Sequence, residues 1–187
     1  MDKLSYIERV DHISQELRTV LSHIDPAQTD DYIAIILASD KIFVTGVGRV
    51  LLALETMVKR FNHLGISAHI VGAVNEPPIS KNDLLIVGSG SGESLIPKHI
   101  TLCAKKIGAK IAHLTSSPHS SIAQQSDVIV NFKCGSKSGE GTCQSIQPMT
   151  TLFEQSLIIF GDIICLELMQ LKELSYADAS KNHANLE

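Results

Sequence analysis

Asp83-Leu84-Leu85-Ile86-Val87-Gly88 runs directly into Ser89-Gly90-Ser91-Gly92-Glu93-Ser94, and this junction decides how the chain is read. An unbroken apolar run reads as a buried parallel strand, and its end in glycines and hydroxyls marks a turn. A helical pattern follows from about Leu95 to Ile107. Glycines let backbone approach a ligand closely, and the helix behind them offers unpaired N–H groups and a positive dipole end. Ser89, Ser91 and Ser94 add hydroxyl donors without adding charge. The combination suits a dianionic phosphate. An ordinary strand-to-helix turn, capped by Ser91 with Glu93 at the positive end, would use the same residues. No Gly-Lys-Ser/Thr follows the glycines and the dinucleotide Gly-x-Gly-x-x-Gly spacing is absent. A phosphorylated small molecule therefore fits better than a nucleotide.

Working outward, further short apolar runs read as strands at Lys41–Thr45, Ala68–Val71, Lys110–Leu114 and Asp127–Phe132. Helical patterns cover about Val50–Leu64, Leu95–Ile107 and His119–Gln125 between them. Leu51, Leu54, Val58 and Phe61 share one face of the first, which Gly65 ends as a left-handed cap would. An amphipathic helix from Leu4 towards Asp25-Pro26, and a second at roughly Thr29–Ala38, precede this region. Alternating helices and near-unbroken strands predict an α/β fold, a doubly wound five-stranded parallel sheet with helices on both faces. Binding sites on such sheets lie beyond the carboxyl ends of the strands. Both Gly46-Val47-Gly48-Arg49 and Gly88–Ser94 fall at that edge. A single domain spans 1–187, with N-terminal helices over 1–38, the α/β core over 39–147 and a C-terminal helix and tail over 148–187.

After Gln147-Pro148 a long helix is predicted over Met149–Leu171, Pro-initiated and apolar over far more than one stripe. Glu154, Asp162 and Glu167 interrupt it, which argues against a membrane span. A helix apolar nearly all round must be buried on several sides, so a homo-oligomer is expected. The 187 residues are 44% apolar and 19% charged, as in a globular chain. A net charge of −4 and only four scattered arginines give no reason to expect nucleic acid. The amino terminus does not read as a signal peptide, and the scattered Cys103, Cys134, Cys143 and Cys165 read as reduced thiols, so a cytoplasmic protein is expected. Neither cysteine nor histidine spacing indicates a metal; His12, His23, His99 and His119 read as solvated.

Glu154 is the sharpest candidate for chemistry, a carboxylate in the first turns of an oily helix. It suits a general base, or equally an ordinary helix amino-end carboxylate. Glu93 ranks behind it. Gly48 and Arg49 sit where a ligand would lie, and Arg49 could anchor a phosphate or sugar hydroxyls. His183, near the carboxyl end, reads by position as a frayed surface residue.

The turns Gly46–Arg49 and Ser89–Ser94 and the long last helix resemble the sugar-isomerase (SIS) domain superfamily, over nearly the whole chain. Gln147-Pro148-Met149-Thr150-Thr151-Leu152-Phe153-Glu154-Gln155, Arg60-Phe61-Asn62-His63-Leu64-Gly65 and His183-Ala184-Asn185-Leu186-Glu187 are similar to the 6-phospho-3-hexuloisomerase family within it. The resemblance implies a flavodoxin-like three-layer fold, commonly a tetramer. It implies interconversion of 3-hexulose 6-phosphate and fructose 6-phosphate, a step of formaldehyde handling by the ribulose monophosphate route. On that resemblance Ser89, Ser91 and Ser94 bind phosphate, Glu154 is the base, and His183 serves the site, its own or a neighbour's. The reaction moves a carbonyl between C3 and C2 through a cis-enediolate and requires no cofactor or metal. An isomerase of another phosphosugar, such as arabinose 5-phosphate, and a non-catalytic sugar-phosphate sensor are the alternatives. After Gly-x-Gly-Arg the family carries Ser-Gly where this chain has Val50-Leu51, which implies a tighter, more apolar mouth.

Overall fold

The computed structural model describes residues 4–135 and 145–186. Five parallel strands form one sheet: β1 (Ile42–Thr45), β2 (Ala68–Ile70), β3 (Leu84–Gly88), β4 (Lys110–Thr115) and β5 (Val128–Asn131), in the order β2-β1-β3-β4-β5. The register pairs Thr45 with Val87 and Gly88 with Leu114, so the ends of β1, β3 and β4 emerge side by side. The order reverses between β1 and β3, where the chain leaves β1 in one direction and returns to its other side. Crevices form at such a reversal because the two following segments diverge.

Side chains alternate across the pleat and sort into two cores. Ile42, Val44, Leu84, Ile86, Ala112 and Leu114 face the larger one, with α2 (Pro26–Leu37), α3 (Arg49–His63) and α5 (Thr151–Leu171). Phe43, Leu85, Val87 and Ile111 face the smaller, beneath α4 (Leu95–Ile107). Successive side chains point to opposite faces, so a strand buried on both faces is apolar at every position. α5 is fixed on the larger side by aromatic edges: Phe132 meets Phe153 at 5.4 Å and Phe160 at 5.3 Å between ring centroids. Gly161 lets α3 approach, since a Cβ there would lie 3.0 Å from Met57 Cε. α1 (Tyr6–Ser22) packs along α5.

Several boundaries depart from the sequence expectation. α2 begins at Pro26 rather than near Thr29, because Asp25 caps it, accepting from Ala27 N at 3.0 Å, and proline suits the first turn. The pattern over His119–Gln125 gives only a 3₁₀ turn at Ala123–Gln125, short of the length a helix needs. α5 starts at Thr151, not at Met149, because Met149 adopts φ +59 and breaks the helical path after Pro148. The tail contains a further short helix, α6 (Tyr176–Lys181), capped by Ser175 and Asp178. Gly65 does lie in the left-handed region just past α3. Among the described residues no helix is long and apolar enough to cross a membrane. Most of the glycine-rich stretch 133–145, and Cys143 with it, lies outside the described residues.

Candidate active site

The ends of β1 and β3 and the start of α5 enclose a cleft of about 530 Å³. Three helices begin at its rim: α3 after Gly48, α4 after Ser94 and α5 after Thr150. None of the three has a side-chain cap. Their first N–H groups and positive dipole ends converge on one space, an environment that favours an anion.

Ser89, Ser91 and Ser94 all border the cleft. Ser89 Oγ accepts from Gly92 N at 3.1 Å and lies 3.2 Å from Ser94 Oγ. Ser91 Oγ accepts from Glu93 N at 3.3 Å, and its own proton remains to donate. Gly92 stands at φ +64, and a Cβ there would fall inside the Ser120 side chain, so the turn requires glycine. Gly48 needs glycine for its backbone alone, at φ 57 and ψ −136. Beneath the turn lies His113, fully buried, 3.0 Å from where that Cβ would stand. Burial pushes its pKa down to about 4, and the Ser89 backbone offsets this only in part. Neither ring nitrogen has a hydrogen bond of good geometry, so His113 is a neutral floor under the turn.

Glu154 is buried at the opposite side of the cleft. Arg49 Nε donates to Oε2, and Thr150 Oγ1 donates to Oε1 at 2.8 Å. The guanidinium is mostly exposed, so this pair is anchored on the Glu154 side and open on the other. Gly48 and Arg49 lie at the rim, and Arg49 is turned to the carboxylate. Glu93 points elsewhere: it accepts from Ser121 N at 2.7 Å and pairs with Lys98. His183 is distant within its own chain. Its ring lies 4.9 Å from that of His63, at the far end of α3 from Arg49, about 20 Å along the helix axis. Sequence reasoning missed Thr150 and Ser116. Ser116 borders the cleft with a buried hydroxyl that has no partner among the described residues. Its position directly after β4, at the carboxyl edge, was the signal available. Val50 touches both glycine turns, and with Val47, Met149 and Phe153 it makes the walls apolar. Among the described residues no group of three or more His, Cys, Asp or Glu is placed to hold a metal ion.

The model of the SIS domain family matches residues 35–159. The chain is 39% identical over 181 residues to a 3-hexulose-6-phosphate isomerase of Bacillus subtilis, covering 96% of this chain and 98% of the relative. It is 33% identical over 175 residues to a 3-hexulose-6-phosphate isomerase of Mycobacterium gastri, covering 94% and 88%. A solved structure from Methanococcus jannaschii, for which the function of a 3-hexulose-6-phosphate isomerase was inferred, superposes with a TM-score of 0.84. That match is 28% identical and covers 96% of this chain and 99% of the other.

Proposed function

The chain belongs to the SIS domain family, and from that premise we propose that it is an isomerase interconverting 3-hexulose 6-phosphate and fructose 6-phosphate. One observation carries the reading: a buried carboxylate, Glu154, shares a cleft with a serine turn and three uncapped helix ends. The two sides match a substrate with a phosphate at one end and an exchangeable carbon-bound proton at the other.

Ser89, Ser91, Ser94 and the first N–H groups of α4 take the phosphate, which fixes the sugar chain in register with Glu154. Glu154 removes the proton from C2, the C3 carbonyl becomes an enediolate oxygen, and the same carboxylic acid returns the proton at C3. The electron pair moves within the sugar, so nothing is oxidised or reduced outside it. Arg49 and Thr150 occupy one lone pair on each carboxylate oxygen and leave others for the proton. Arg49, exposed at the rim, is also placed to bind substrate oxygens. His183 moves the proton between O2 and O3. Because it sits at the far end of α3, it does so in the cleft of a neighbouring copy.

The same reading makes the protein a cytoplasmic homo-oligomer, a tetramer as in the resemblance. Ile158, Ile163, Leu166 and Leu171 are exposed on α5 and give such an assembly an apolar contact face.

The test is fructose 6-phosphate formation from enzymatically generated 3-hexulose 6-phosphate, in wild type and Glu154→Gln. Wild type turns over and the variant loses about a thousandfold while still binding phosphosugar. Equal turnover removes Glu154 as the base. No turnover by wild type, where a known isomerase works, overturns the assignment.

A further inference from the structure

α1 does not border the cleft, yet one of its side chains reaches the segment that builds the cleft wall. Glu16 is buried on the inner side of α1. Its carboxylate accepts from Ser145 Oγ at 2.6 Å, Ile146 N at 2.8 Å and Gln147 Nε2 at 3.0 Å. Ser145 Oγ in turn accepts from Gln147 N at 3.0 Å. The held residues lead through Pro148 to Met149 and Thr150, which line the cleft, and Thr150 holds Glu154.

A buried carboxylate is costly unless its lone pairs are used. Packing α1 on α5 does not need one; Leu17, Val20 and Leu21 of α1 serve that contact with apolar surface. What the carboxylate adds is an acceptor for three consecutive residues that belong to no helix or strand. The backbone just beyond them is in an unusual state, with Met149 at φ +59, and such a conformation persists only where its surroundings over-determine it. Glu16 supplies that determination from some 130 residues away in sequence.

We infer that Glu16 is a positioning residue for the isomerisation: it fixes residues 145–150 and, through Thr150, the orientation of the Glu154 carboxylate. It touches neither substrate nor the reacting atoms. The inference rests on the isomerase reading above.

The experiment compares wild type, Glu16→Ala and Glu16→Gln by steady-state kinetics, with affinity for fructose 6-phosphate measured separately by calorimetry. Glu16→Ala lowers kcat roughly ten- to a hundredfold, as a misplaced catalytic group does, while affinity is nearly unchanged because the serine turn is untouched. Glu16→Gln keeps one acceptor oxygen and recovers part of kcat. Loss of folded protein with kcat per folded molecule unchanged overturns the proposal. Should Glu16→Ala not fold, Gln147→Leu removes one donor, leaves the carboxylate in place and gives the same kinetic split. If wild type shows no isomerisation, the functional reading fails alone. Amide exchange at Ile146 and Gln147, faster in Glu16→Ala than in wild type, then still supports the tether, and unchanged exchange there sinks it.

Discussion

α1, α2 and α6 begin in one way and α3, α4 and α5 in another. Ser5, Asp25 and Ser175 each turn a side-chain oxygen onto the first backbone N–H groups of their helices. Gly48, Ser94 and Thr150 do not, although two of the three are residue types that cap well. Ser94 is directed to Ser89 and Thr150 to Glu154. The first group lies away from the cleft and the second opens onto it. A helix end left open among hydrogen-bonding side chains costs stability and gains a ligand site. All three uncapped ends border the one cleft, and none of the capped ones does.

The strongest way to break this comparison is Gly92→Ala, which strains the open turn itself. The left-handed φ and the collision with Ser120 together cost about 3 kcal/mol of stability, and phosphosugar binding is lost. Denaturant unfolding and calorimetry measure both. Binding that survives would show that the turn is not the anion site.

His113 offers a second probe, from below the turn. Its folded pKa is about 4 and its unfolded value about 6.5, so between these the unfolded chain binds more protons and stability rises with pH. The stability held above pH 6.5 thus drains as pH falls through 4, by on the order of 3 kcal/mol in full. The melting temperature of wild type drops over this window, and that of His113→Leu follows a flatter profile. Parallel profiles would mean that His113 is not held neutral.

A pair of smaller substitutions sharpens the contrast. Ser5→Ala costs about 1 kcal/mol of stability and leaves fructose 6-phosphate affinity unchanged. Ser94→Ala leaves stability nearly unchanged and weakens fructose 6-phosphate roughly tenfold, with no effect on unphosphorylated fructose. Equal weakening for both sugars would remove Ser94 from the phosphate site.

The strands and the serine turn were legible because their information is local. Apolar runs such as Leu84–Val87 carry their burial in their composition, and glycine turns mark their own ends. Glu154 stood out for the same reason, a charge in an apolar helix. What could not be read was pairing across the chain. Arg49 and Glu154 are 105 positions apart and Glu16 and Gln147 are 131 apart, and no pattern in either neighbourhood names the other. Ser116 is one serine among several until the sheet places it. α6 was missed because a six-residue helix has no room for periodicity, and its capping box was the signal overlooked. His183 was placed near the site by resemblance, and only the fold shows it at the other end of α3.

The aromatic contacts that seat α5 have a consequence for how the protein is born. Phe132 leaves the ribosome before Phe153 and Phe160, the two rings that cover it, and the share of the larger face that α5 covers waits with it. At ordinary elongation rates of roughly 5–20 residues per second, Phe132 and the part of that face which α5 covers stand open for a second or more, although α2 and α3 are already made. Arg49 and the serine turn are made early, and the cleft they border lacks its Glu154 wall until α5 emerges. Docking of α5 covers Phe132 and also brings Glu154 to the cleft, so a chain cannot acquire one without the other.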